Sequence, residues 1–187
     1  MNKKRTLWAV RIILIALIVC WMMTIFDFSA ANGQQSQSYS DGITIKIIRL
    51  IKKDCNMLSK DRQQEYFNQV SFFVRKTGHF GEYGILSLLW SGFLLTFESI
   101  RKIKKKIFIL IPTAISLVYA ATDEFHQGFV DGRSPGLRDV FIDTLGGFTA
   151  AVFIMVIAWL VFRRKDERLG KKCQKGNTVH TGRTAKG

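Results

Sequence analysis

The chain has 187 residues, 48% of them apolar, with 28 Lys and Arg against 14 Asp and Glu, a formal net charge of +14. Two prolines, 15 phenylalanines and apolar residues gathered into long blocks exclude a disordered chain and an ordinary α/β domain. The basic residues fall between the apolar blocks instead of lining a folded surface, which argues against nucleic acid as a partner and for a lipid bilayer.

A bilayer core of about 30 Å takes about 20 mostly apolar residues in a helix. Four segments meet or approach that length: residues 7–28, 78–97, 107–122 and 139–162. The first carries Trp8 and Trp21 as interface anchors, with Arg11 close enough to its start to reach the headgroups. Lys3, Lys4 and Arg5 give it the basic start of a signal peptide. Its apolar run is longer than a signal peptide needs, and further spans follow, so an uncleaved helix is expected. The remaining basic residues then fix the orientation. Most of them lie before the first span, in residues 101–106 and after residue 162, so both termini are assigned to the cytoplasm and residues 29–77 and 123–138 to the exterior.

Between the first two spans, residues 29–41 are small and polar and read as mobile, with a turn signal at Asp41-Gly42. Residues 43–58 read as a basic amphipathic helix in which Ile43, Ile47, Leu50 and Ile51 recur at helical spacing. It either lies on the outer leaflet, drawn by anionic headgroups, or packs on the outer ends of the spans. The expected architecture is an all-α integral membrane protein. It is a bundle of four transmembrane helices with the N- and C-termini cytoplasmic, plus this amphipathic outer-face helix. Residues 1–162 form the membrane domain, and residues 163–187 a basic cytoplasmic tail expected to be disordered. Cys20, Cys55 and Cys173 lie in an apolar, a polar and a basic segment and suggest no disulfide.

Three polar groups fall at the outer ends of these spans. The first, Arg75 to Tyr83, puts Lys76, His79 and Tyr83 on one helix face with Glu82 at its edge. The second, Asp123 to Ser134, carries Asp123, Glu124, His126, Gln127 and Arg133. Asp123, His126 and Gln127 share a face if the third helix continues one more turn. The third, Arg138 to Gly147, stacks Asp139 and Asp143 one turn apart and continues into Gly146, Gly147, Ala150 and Ala151, which let another helix approach closely.

Ionisable groups inside a bilayer are costly and face the bundle interior, so Glu82 and Asp143 are expected to find partners among Lys76, Arg133, Arg138, His79 and His126. The plain alternative is an ion-pair network that only holds four short helices in register. Two histidines among carboxylates also resemble the donors of a hydrolytic zinc centre, but there is no HExxH, and no metal or cofactor is assigned. Acid–base chemistry with His126 as base, oriented by Asp123 or Glu124, is conceivable. Without a nucleophile elbow or a Cys beside either His, whether the protein is an enzyme stays open.

The segment RKTGHFGEYGILSLL, followed by DEFHQGFVDGRSPGLRDVFIDTLGG, resembles the VanZ-like family. The resemblance in organisation covers residues 8–162. It implies a small polytopic membrane protein of Gram-positive-type bacteria, tied to the cell envelope and to antibiotic resistance through lowered susceptibility to the glycopeptide teicoplanin. It supplies no reaction and no catalytic residues. Together with the residue pattern it suggests an outer-face site that binds or alters a lipid-linked cell-wall precursor or an anionic lipid headgroup. Lys76, Arg133 and Arg138 would hold the anion, and Asp123, Glu124, His79 and His126 would surround it. A membrane-embedded hydrolase or transferase and a small ion-coupled transporter are the competing readings.

Overall fold

The computed structural model describes residues 3–30, 33–51, 59–101, 103–130 and 135–181. Among these residues all regular structure is helical: α1 (Lys3–Ala30), α2 (Gly33–Ile51), α3 (Lys60–Leu95), α4 (Glu98–Arg101), α5 (Lys105–Gln127) and α6 (Leu137–Thr181). Three stretches are long and apolar enough to cross a membrane: Lys4–Ala30, Lys105–Gln127 and Leu137–Val161, of 27, 23 and 25 residues. Their large apolar side chains are widely exposed, among them Trp8, Ile12, Met23, Val118 and Phe153. A helix whose apolar residues face outward as well as inward fits a hydrocarbon solvent and not water.

Residues 78–95, all but the last two of the expected second span 78–97, form the C-terminal part of the 36-residue α3 but do not meet that measure of apolarity. The packing explains the composition. α3 touches α1, α2, α5 and α6 and packs most extensively on α6. Its buried positions include Ser71, Ser87 and Ser91, small polar residues that sit against other helices.

Hydrogen bonds set the helix directions. Arg11 of α1 bonds to Thr96 just beyond α3, while the indole of Trp21 donates to the Glu82 carbonyl at 2.9 Å, so α1 and α3 are antiparallel. The Tyr119 hydroxyl of α5 donates to the Met22 carbonyl at 2.6 Å, and Phe26 meets His126 four residues further along α1. α5 is therefore parallel to α1. α6 runs parallel to α3, with Lys76 beside Asp139 at one end and Ser87 Oγ donating to the Gly147 carbonyl at 2.7 Å further along.

Two glycines bring α6 into this position. A Cβ at Gly146 would lie 2.2 Å from the Phe80 carbonyl oxygen, and one at Gly147 would lie 2.4 Å from Ser116 Oγ. Gly146 thus admits the α3 backbone and Gly147 admits α5, as the small-residue spacing predicts.

Several local expectations change. Asp41 and Gly42 lie inside α2, which begins at Gly33, so the turn signal is overridden and residues 33–41 are helical instead of irregular. α2 packs against α3 with Ser40 and Thr44 buried and Ile43, Leu50 and Ile51 exposed. The expected continuation of this helix over 52–58 lies outside the described residues. α5 extends past Thr122 to Gln127, adding the turn that carries Asp123 and His126. α6 runs on to Thr181, where an irregular tail was expected. Arg11 and Trp21, read as headgroup and interface anchors, instead bond to α3 and its end.

Candidate functional site

At the end of the bundle that holds Lys76 and Asp139, three helices converge with an excess of acidic side chains. α3 contributes Lys76, His79, Glu82 and Tyr83. Lys76 Nζ donates to Asp139 Oδ1 across to α6, and His79 Nδ1 stands 3.6 Å from Glu82 Oε2 one turn along. Tyr83 is completely buried, its ring 6.1 Å from that of Tyr119 on α5. Its hydroxyl is close enough to Asp123 and Asp143 to feel both charges, with Asp123 as the carboxylate it can donate to.

α5 contributes Asp123, Glu124 and Gln127, all buried. Gln127 Nε2 donates to Asp123 Oδ2 at 3.2 Å, one helical turn away. Glu124 Oε2 accepts the backbone N–H of Gly136 at 2.8 Å. That bond fastens the end of α5 to the start of α6, and Gly128 closes beside Pro135 on the same connection.

α6 contributes Asp139 and Asp143. Asp143 is only 1% exposed, and its Oδ1 has no hydrogen-bond partner. Four acidic groups, Asp123, Glu124, Asp139 and Glu82, are near enough to act on it. A buried carboxylate oxygen without a donor costs several kcal/mol, roughly 2–7 for a polar group and more for a charge, so this pocket favours whatever brings a donor or a positive charge. Among the described residues, no group of three or more His, Cys, Asp or Glu is arranged to hold a metal ion.

The structure therefore brings Lys76, Glu82, Asp123, Glu124, Asp139 and Asp143 into one electrostatic neighbourhood, with His79 on Glu82 and Gln127 on Asp123. It does not gather the rest. Arg75 is exposed. Arg138 is also exposed, its guanidinium 5.3 Å from the Phe72 ring centre. His126 packs on Phe26 of α1, ring centres 4.6 Å apart, instead of sharing the Asp123 and Gln127 face. Its Nδ1 has no hydrogen-bond partner among the described residues. Arg133 lies outside the described residues. Tyr83, placed by the sequence on the polar face with Lys76 and His79 but not counted as a site residue, belongs to the site, as does Tyr119, which the sequence did not single out. Tyr83 was within reach of that reasoning, since it follows His79 by four residues and Lys76 by seven.

The family model described as VanZ/LLP1 matches residues 14–175. The chain belongs to the VanZ/LLP1 family. The match runs from within α1 to within α6 and includes both polar motifs. With three helices of membrane-crossing length and apolarity, the chain is a membrane protein of VanZ type. No curated protein and no solved structure matches it.

Proposed function

We propose that this protein works in the bacterial cell envelope, lowering susceptibility to teicoplanin by binding or altering the headgroup of a lipid or lipid-linked wall precursor. The carrying observation is the buried convergence of α3, α5 and α6, which leaves Asp143 Oδ1 without a hydrogen-bond partner among the described residues. In this reading α3 crosses the bilayer from residue 78 as a fourth span. The path of α1 alongside it, from Thr96 to Glu82, supports that assignment. Both termini are cytoplasmic, as the basic residues after α3 and after residue 162 favour, and the acidic site faces outward.

The site's own charges refine the ligand. Lys76 is already engaged by Asp139, and Arg138 stacks outward on Phe72. The anionic part of a headgroup therefore falls to Arg133, whose planar fork grips phosphate or carboxylate through two bonds. Hydroxyl or ammonium groups of the same ligand face the carboxylates and Tyr83. Asp143→Asn and Arg133→Lys test this in cells expressing the protein. Both variants are expected to keep wild-type abundance and thermal stability while losing protection against teicoplanin. Full protection by both would overturn the reading.

Asp143 also favours a second reading, an ion-coupled carrier in which Glu82 and Asp143 are the proton sites. A buried carboxyl oxygen without a hydrogen-bond partner, set among other acids, suits a group that gains and loses a proton during transport. Proteoliposomes separate the two. Substrate movement driven by a proton gradient, and lost in Asp143→Asn, would establish the carrier.

A further inference from the structure

The opposite end of the bundle holds a half-open groove of about 760 Å³, independent of the acidic site and of the function proposed for it. That volume lies within the roughly 300–1,000 Å³ of small-molecule sites. Leu95 from α3, Phe108 from α5, and Met155 and Ala158 from α6 give it an apolar floor. Its rim carries Arg101, Lys105 and Glu98, all exposed, with Trp159 beside them. Lys105 Nζ sits 4.7 Å from the Trp159 ring centre, a cation–π contact that holds the ammonium at the rim. Lys104 and Lys106 flank it and are exposed, so the rim is basic despite Glu98.

The groove's position decides what it fits. Lys105 is the first residue of one membrane-crossing stretch, and Trp159 lies two residues before the end of another. Tryptophan and basic residues at the ends of spans mark the level where hydrocarbon meets headgroup. The apolar floor therefore lies on the hydrocarbon side of the boundary and the cations on the headgroup side. Only an amphiphile with an anionic head matches both.

We infer that this groove binds one anionic phospholipid, its acyl chain against Leu95, Phe108 and Met155 and its phosphate on Arg101 and Lys105. Basic pockets between transmembrane helices on the cytoplasmic side bind anionic headgroups such as those of cardiolipin and phosphoinositides.

Native mass spectrometry of the full chain in detergent, titrated with dioleoyl phosphatidylglycerol or dioleoyl phosphatidylcholine, tests the inference. The wild type is expected to retain one phosphatidylglycerol per chain in clear preference to phosphatidylcholine. Two juxtamembrane cations contribute about 1 kcal/mol each, so Arg101→Gln with Lys105→Gln lowers that preference roughly thirtyfold. Both positions are exposed, so this variant keeps the fold. Ala158→Trp fills the floor and leaves every charge in place, and it is expected to release the lipid. Equal retention of the two lipids by the wild type would overturn the inference, as would dimers in place of bound lipid. Undiminished phosphatidylglycerol binding by a folded Ala158→Trp protein would place the lipid outside the groove and also overturn it.

Discussion

Arg11 of α1 donates twice to Thr96 at the end of α3, from Nε to Oγ1 at 3.0 Å and from Nη2 to the carbonyl oxygen at 3.1 Å. The same guanidinium lies 3.9 Å from the ring centre of Phe97. A cation at a helix C-terminus satisfies carbonyls that have no partner within the helix and opposes the negative end of its dipole. The only charged residue well inside the apolar run of α1 thus terminates its neighbour.

Arg11→Met should therefore loosen the α1–α3 contact and not merely change how α1 meets the headgroups. Two bonds of a charged donor are worth about 1.5–3 kcal/mol each at most, and partial exposure of Arg11 reduces that. A fall in thermal midpoint in detergent is expected, with Arg11→Lys recovering part of it. No change in either variant would show the contact to be energetically idle.

Gly146 predicts a sharper effect. Its missing Cβ would lie 2.2 Å from the Phe80 carbonyl oxygen, a backbone atom that cannot swing aside, whereas a Cβ at Gly84 would meet Gly146 O at 3.7 Å. Gly146→Ala should push α3 from α6 and cost about 1–3 kcal/mol, the range for overpacked cores. Gly84→Ala should fold normally. Detergent melts of the two variants, compared side by side, check the contrast.

Lys76 and Asp139 form an ion pair whose side chains are 21% and 27% exposed. Exposed pairs contribute 0–1 kcal/mol, and breaking fully buried ones costs about 3–5. A single Lys76→Met change is thus expected to cost an intermediate amount, about 1–2 kcal/mol. Adding Asp139→Asn removes the carboxylate left behind and should recover most of the loss. A double variant no more stable than the single one would show that Asp139 has another partner.

Orientation is tested by thiol labelling once Cys20, Cys55 and Cys173 are replaced. Arg49 and Lys104 are both exposed, on α2 and at the start of α5. In intact cells, cysteine at 49 should react with an impermeant maleimide and cysteine at 104 should not. The reverse pattern would turn the acidic site to the cytoplasm.

The sequence was most readable where one residue's chemistry left few options. The apolar runs of α1, α5 and α6, the added turn at Asp123–Gln127 and the close approach at Gly146 follow from hydrophobic length, spacing and the missing side chain. Arg138 and His126 were less readable, because facing depends on where neighbouring helices lie. Arg138 found an aromatic face on α3, and His126 found Phe26 of α1, more than 90 residues earlier in the chain. Arg11 was misassigned for the same reason, since its partner is 85 residues away. The Asp41-Gly42 turn failed because a local preference worth about 1 kcal/mol yields to packing, here that of α2 on α3. In the tail, Arg, Lys, Leu and Gln favour a helix enough to carry Gly170 and Gly176 within it.

Trp21, Tyr119 and Ser87 each join one helix to another by donating to a main-chain carbonyl, of Glu82, Met22 and Gly147 respectively. A carbonyl belongs to every amino acid, so these joints constrain the donor and, except at Gly147 where a Cβ would meet Ser116, leave the acceptor's side chain free to vary. Glu82 can therefore change identity without releasing the grip of Trp21, and the same holds at Met22. Position 82 can thus vary while the scaffold holds, provided the tryptophan, tyrosine and serine donors stay.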